Sequence, residues 1–136
     1  MTERPATGDT ALLMDPRLQS LSILVVDDDE DIRASMSLAL RSEGGNILQA
    51  ADGNEAVAMW RSHEPDVVVL DMMLPKRSGF LVLEELQEAS EPPIVIMVTA
   101  NEGRRHEEYA HALGVHAYLT KPIPLETLIR TIEELV

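Results

Sequence analysis

The sequence predicts an α/β domain of the (βα)5 doubly wound parallel type, on three observations. Short apolar runs without polar alternation recur along the chain, the pattern of strands buried on both faces of a parallel sheet. A stretch with helical spacing follows each run. The alternation repeats five times, which calls for parallel strands joined by right-handed crossovers with helices on both faces.

Each element can be justified in turn. Residues 1–20 mix Thr, Pro, Gly and Asp around one small apolar cluster, Ala11-Leu12-Leu13-Met14, and are expected to be an N-terminal arm. That arm is either flexible or a short helix capped by Asp9 or Thr10 that docks on the body or a partner. The domain proper is placed at 21–136. Ile23-Leu24-Val25-Val26 is the first strand run, ending in Asp27-Asp28-Asp29. Ile32, Met36, Ala39 and Leu40 then share one helix face, and Glu30 and Asp31 sit in a first turn where the helix dipole favours anions. Gly44-Gly45 closes that helix. Asn46 to Ala50 is a weaker strand, followed by an Asp52-Gly53 turn and a helix marked by Ala56, Val57 and Trp60.

Val67 to Leu70 is the most uniformly apolar run and ends on Asp71; Pro75 and Gly79 break the chain before a helix around Phe80, Leu83 and Leu86. Ile94 to Val98 is the fourth strand, terminating at Thr99-Ala100. Residues 102–113 read as a polar helix with Tyr109 and Leu113 inward. Ala117-Tyr118-Leu119 is a short fifth strand running into Thr120-Lys121-Pro122. Leu125, Leu128, Ile129, Ile132 and Val136 give a final helix with regular spacing.

Composition narrows the function. The 136 residues suit one domain, with 45% hydrophobic residues and a mean hydropathy of -0.05. A net charge of -13 argues against a nucleic-acid surface, which needs clustered Lys and Arg, and against an anionic membrane. The chain has no cysteine, so disulfides and thiol chemistry are excluded. No window reaches the ~20 apolar residues of a membrane span, and no signal-peptide core is present. A cytoplasmic protein is expected.

In a parallel sheet all C-terminal strand ends share one edge, where open α/β folds place their ligand sites. The strands here end on Asp27-Asp28, Asp71, Thr99 and, nearby, Lys121. Three converging carboxylates repel one another unless a cation sits among them. An all-oxygen set with places left for water suits Mg2+, which shares its shell with phosphoryl groups. Lys121 adds a point charge and Thr99 a small hydroxyl. A carboxylate, Mg2+ and a cation together can form an aspartyl phosphate. Plainer roles exist for each group. Asp27 and Asp28 can cap the first helix, a role that suits Asp29 better. Asp71 can be a turn residue, Thr99 a strand end, Lys121 a surface lysine, and Tyr118 edge packing. His63, His106, His111 and His116 lack ligand spacing and are expected to be exposed. Trp60, Met72 and Met73 read as packing residues.

From about Ser22 to Val136 the chain resembles a receiver domain of the two-component response regulators. The matching pieces are Val25-Val26-Asp27-Asp28-Asp29, Asp71-Met72-Met73-Leu74-Pro75 with Gly79 downstream, Val98-Thr99-Ala100, and Tyr118-Leu119-Thr120-Lys121-Pro122. The resemblance implies a flavodoxin-like sheet with strand order 2-1-3-4-5. It implies Asp71 as the residue phosphorylated by a histidine kinase, Asp28 as a direct Mg2+ ligand, Asp27 as a ligand through water, and Met73 as a backbone-carbonyl ligand. Thr99 and Lys121 would meet the phosphoryl oxygens, Tyr118 would change rotamer with Thr99, and the Lys121-Pro122 bond would be cis.

Expected partners are therefore a sensor histidine kinase or histidine phosphotransfer protein and a downstream effector protein or output domain, met through the surface of the fourth helix, fifth strand and fifth helix. No direct nucleic-acid or membrane contact is expected, and the chain is a monomer or a weak phosphorylation-dependent dimer. An acidic pair before the tyrosine, frequent in dimerising transcription-factor receivers, is replaced by Val115-His116-Ala117. The domain assists its own phosphorylation and dephosphorylation without conventional turnover. An aspartyl-phosphate phosphatase is the alternative, although that class places a second acid where Met73 stands. A scaffold that is never phosphorylated is a further alternative, and would be marked by a missing acid, Thr or Lys; all are present.

Overall fold

A computed structural model describes residues 16–100 and 103–136. Its elements, in chain order, are β1 Ser22–Val26, α1 Glu30–Ser42, β2 Asn46–Ala50, α2 Gly53–His63, β3 Val67–Leu70, α3 Gly79–Gln87, β4 Ile94–Thr99, α4 Arg104–Ala112, β5 Ala117–Thr120 and α5 Leu125–Leu135. The five strands form one sheet in the order 2-1-3-4-5, and every pairing is parallel. The (βα)5 reading and its strand order are borne out.

Side chains of a strand alternate between faces, so the uniformly apolar runs feed two cores. Ile23, Val25, Val67, Val69, Ile96 and Val98 pack on one face with α1 and α5, through Met36, Leu40, Leu128 and Ile132. Leu24, Val26, Val68, Leu70, Val95 and Met97 pack on the other with α2, α3 and α4, through Ala56, Val82, Leu83, Leu86 and Ala110. All of these strand residues are buried, as two-sided coverage requires. The edge strand β2 instead exposes Asn46 and Gln49, which is why its run looked weaker.

The helix ends follow the local chemistry. The side chain of Asp29 caps α1 by accepting from Asp31 N–H and Ile32 N–H at 3.0 and 3.1 Å. Asp52 caps α2 through Glu55 N–H at 2.7 Å, and Ser78 caps α3 through Leu81 N–H. At the end of α1, Gly44 N–H and Gly45 N–H donate to the carbonyls of Arg41 and Leu40, and Gly44 takes φ +94°. This is the paired closure that favours glycine. The Lys121-Pro122 bond is cis.

Some expectations shift. The helix anticipated over 102–113 spans Arg104–Ala112, with Leu113 as its cap residue, and residue 102 lies outside the described part. Tyr109 is 48% exposed rather than inward, because its ring meets the edge of Phe80 at the rim of α3. Met72 is buried as a packing residue, whereas Met73 is 66% exposed, since the chain turns outward after β3. Trp60 packs half-buried on the α2 side. All four histidines are exposed, but His116 is engaged: its Nδ1 accepts from Val95 N–H at 3.1 Å, extending the β4–β5 ladder.

The expected arm divides at residue 16. Residues 1–15, with Ala11 to Met14 and the cap candidates Asp9 and Thr10, lie outside the described residues. Residues 16–20 pack on the body. Leu18 is 1% exposed inside the α1–α5 core and its N–H donates to Glu43 O at 2.8 Å. Arg17 joins α5 through Glu126 at 2.8 Å and Glu133 at 3.0 Å. The polar neighbours of Leu18 hide this role from composition. Replacement of so enclosed a leucine, Leu18→Ala, is expected to cost about 2–5 kcal/mol. Urea denaturation checks this, and a loss below about 1 kcal/mol would place residues 16–20 outside the cooperative body.

Candidate functional site

Strands β1, β3, β4 and β5 end close together because their parallel register is nearly level. Val26 pairs with Leu70 and Leu70 with Met97, so Asp27 and Asp71 leave adjacent strands at one height. Asp27 N–H donates to Ala50 O and Asp71 N–H to Val26 O, which keeps both backbones in the ladder for one residue beyond the strands. Thr99 ends β4 beside them, fully buried, and Lys121 follows β5 with its N–H donating to Thr99 O at 2.8 Å.

One carboxylate oxygen from each of Asp27, Asp28 and Asp71 lies within 4.8 Å of the others. Asp27 and Asp71 are buried, while Asp28 faces solvent. Lys121 Nζ sits between the buried pair, 2.7 Å from Asp27 Oδ2 and 3.1 Å from Asp71 Oδ2. Burial by itself would lower the lysine pKa. The hydrogen bonds and charges of Asp27 and Asp71 outweigh it, and the net shift is upward from 10.5. The other oxygens of the pair are also occupied. Asp27 Oδ1 accepts from Asp29 N–H at 2.9 Å, and Asp71 Oδ1 from Met73 N–H at 3.2 Å. Burial also raises the Tyr118 phenol, helped by the negative charges of Glu107 and Asp71.

The loop after Asp71 is held by close backbone approach. A Cβ on Gly79 would stand 2.3 Å from Asp71 O, and one on Gly53 2.0 Å from Arg77 O. Both positions admit only glycine without backbone movement. Gly79 N–H donates to Met72 O, and Gly53 N–H to Pro75 O, so the start of α2 braces the loop that carries Met73. Sequence reasoning missed Arg33. Its guanidinium reaches back from α1 to Asp27 O at 2.9 Å and Gln49 Oε1 at 3.0 Å, fixing the backbone at the first acid. Its position six residues after Asp27, one turn into the helix, was the available signal.

Chemically the donor set fits a hard divalent cation. All three ligand candidates are carboxylates, and one ammonium against three of them leaves the cluster formally two charges short of neutrality. The exposed Asp28 provides the open side.

Fold and site together define an α/β domain with an acidic pocket at the carboxyl edge of a parallel sheet. The model of the response regulator receiver domain family matches residues 23–133, and the chain belongs to that family. A probable transcriptional regulatory protein, TcrX of Mycobacterium tuberculosis, is 38% identical over 118 residues, covering 87% of this chain and 50% of that protein. This chain thus spans about half the length of that relative. A chain of the CheX–CheY–BeF3–Mg2+ complex from Borrelia burgdorferi superposes with a TM-score of 0.85 at 27% identity, over 90% of this chain and 98% of that one. A DNA-binding response regulator of the LuxR family from Staphylococcus aureus gives 0.80 at 28% identity, over 85% and 98%.

Phosphorylation of an aspartate is the general function of this family. Its receiver domains bind Mg2+ at the acidic pocket and interact with kinases and effector domains. No helix among the described residues is long and apolar enough to cross a membrane.

The raised Lys121 pKa carries a sign. A group whose folded pKa exceeds its unfolded value stabilises fully below the unfolded value and loses that contribution as pH climbs through the folded one. The stability gap between wild type and Lys121→Ala is therefore expected to stay level between about pH 7 and 10 and to narrow above the ordinary lysine value. Denaturant titration at a series of pH values checks it.

Proposed function

We propose that Asp71 is the phosphoryl acceptor of this receiver, taking the group from a phosphohistidine on a sensor kinase or a histidine phosphotransfer protein. The observation that carries the reading is the position of Lys121 Nζ, bonded to both Asp27 and Asp71 at the mouth of a three-carboxylate cluster. In the transfer, an Asp71 oxygen attacks phosphorus and the P–N bond breaks; its electron pair goes to the ring nitrogen, and the donor imidazole leaves neutral because its other ring nitrogen carries a proton.

Each residue has a part. Asp28 and Asp71 would hold Mg2+ directly, with Asp27 behind them through water and Met73 offering its carbonyl. Such a cation supplies neutralisation of the incoming phosphoryl oxygens against the acidic pocket. Lys121 exchanges its bond to Asp71 for one to the phosphoryl group while keeping Asp27. Thr99 donates its hydroxyl to another phosphoryl oxygen. Tyr118, half-buried next to β4, follows Thr99 and changes the α4–β5–α5 surface presented to an effector.

The output is either a separate partner or a further domain. The named activities of TcrX and of the Staphylococcus aureus regulator favour a DNA-binding output. The acidic character of this chain argues that any such contact is made by another domain.

Intact mass after incubation with acetyl phosphate and Mg2+ tests the assignment. One labile phosphoryl group is expected on wild type, and none in Asp71→Asn or after chelation of the metal. Lys121→Ala is expected to accept phosphate yet lose the coupled change in effector binding. A phosphorylated Asp71→Asn chain would move the acceptor elsewhere, and a Lys121→Ala chain with full phosphate-dependent binding would remove the lysine from the switch.

A further inference from the structure

Of the three clustered carboxylates, Asp28 is the exposed one. Both oxygens of Asp27 and of Asp71 are held by N–H or ammonium donors, whereas no hydrogen bond or ion pair from the described residues holds the Asp28 carboxylate. Its aim is therefore set by the backbone, through the two rigid peptide planes that flank its Cα. Each plane is pinned by one bond. Ahead of Asp28, the Asp27 carbonyl accepts from Arg33 Nη1 at 2.9 Å. Behind it, Asp29 N–H donates to Asp27 Oδ1 at 2.9 Å. Asp27 is itself fixed, through its own N–H on Ala50 O and through Lys121 Nζ on Oδ2. Among these donors Arg33 is the one side chain with no part in the phosphotransfer steps.

A helical side chain leans back toward the N-terminus of its helix, which carries this half-buried guanidinium from α1 to the end of β1. The edge strand then aims it. Arg33 Nε donates to Gln49 Oε1 at 3.0 Å, and Gln49 is an exposed β2 residue paired with Val25, one position before Ala50. Both acceptors of the guanidinium are neutral, a backbone carbonyl and an amide oxygen. An ion pair from Arg33 to Asp28 would occupy the oxygens a metal needs; donors placed on a carbonyl and an amide leave that carboxylate available to a divalent cation. A planar guanidinium presents its two donors in fixed directions, so it can hold both acceptors at once. A lysine ammonium in its place is a point charge on a flexible stem, without that fork.

We propose that Arg33 is the positioning residue for Asp28 and sets the Mg2+ affinity of the pocket, with Gln49 holding Arg33 in place. The inference rests on the reading of Asp28 as a direct metal ligand given above. Arg33 acts through the Asp27–Asp28 peptide, not by touching metal or phosphate. Position and charge have opposite signs here. Removing a cation close to the acids would by itself strengthen Mg2+ binding, whereas releasing the peptide that aims Asp28 weakens it.

Amide NMR titration of the full chain with MgCl2 at constant ionic strength tests the proposal, since it reads the affinity of folded protein alone. Arg33→Lys, which keeps the charge, and Arg33→Met, which removes it, are each expected to weaken Mg2+ binding about tenfold. Gln49→Leu is expected to weaken it in the same direction and by less. That exposed edge position leaves both cores untouched, so it carries the test if an Arg33 variant fails to fold. Without metal, the order parameter of the Asp28 N–H is expected to fall in all three variants. Unchanged Mg2+ affinity in Arg33→Lys and Gln49→Leu would overturn the proposal and leave Arg33 with a purely structural role. Tighter binding in Arg33→Met would overturn it in favour of charge alone. A wild-type chain that binds no Mg2+ would instead overturn the assignment of Asp28 as a ligand.

Discussion

The bond from Lys121 to both Asp27 and Asp71 is the interaction on which the site depends. Two buried carboxylates on neighbouring strands, with a third from Asp28 close by, would push the strand ends apart in a medium of low dielectric. A single ammonium, that of Lys121 at the exit of the edge strand, bonds to both buried carboxylates and offsets that repulsion. This placement needs β5 to lie two strands from β3 and the chain to turn inward after Thr120, which the cis Lys121-Pro122 bond accompanies. The sheet order and the charge balance of the pocket are in this sense one constraint.

Around this bond the rest of the molecule is arranged by close approach rather than by further charge. Gly79 lets α3 start directly against Asp71 O, and Gly53 lets α2 lean on the loop that follows. Arg33 ties the first acid to the neighbouring edge strand through Gln49. These contacts are rigid and polar on one side of the site. The α1–α5 side is open and mostly apolar, so the pocket has one braced wall and one open wall.

Two cores on opposite faces of the sheet explain how one pocket can be both buried and responsive. The strands are anchored from both sides through alternate residues, whereas Tyr118 and Lys121 belong to the edge strand and its exit, where cover is partial. Movement at that edge disturbs few buried contacts, while movement of β1 or β3 would disturb both cores at once.

The sequence by itself determined the alternation of elements, the buried strands, the cap at Asp29, and the candidate acids. These depend on local periodicity and on charges placed at the ends of apolar runs. Three features were decided only by tertiary structure. Leu18 became core, although its neighbours are polar, because α1 and α5 leave a gap that only the preceding segment can fill. Met73 turned out exposed, although apolar, because the loop after β3 is held by Gly53 and Gly79 rather than by its own side chains. Arg33 joined the site from a helix whose pattern predicted only an amphipathic face. In each case the deciding partner lies on another element, and a one-dimensional pattern carries no record of which surfaces will meet.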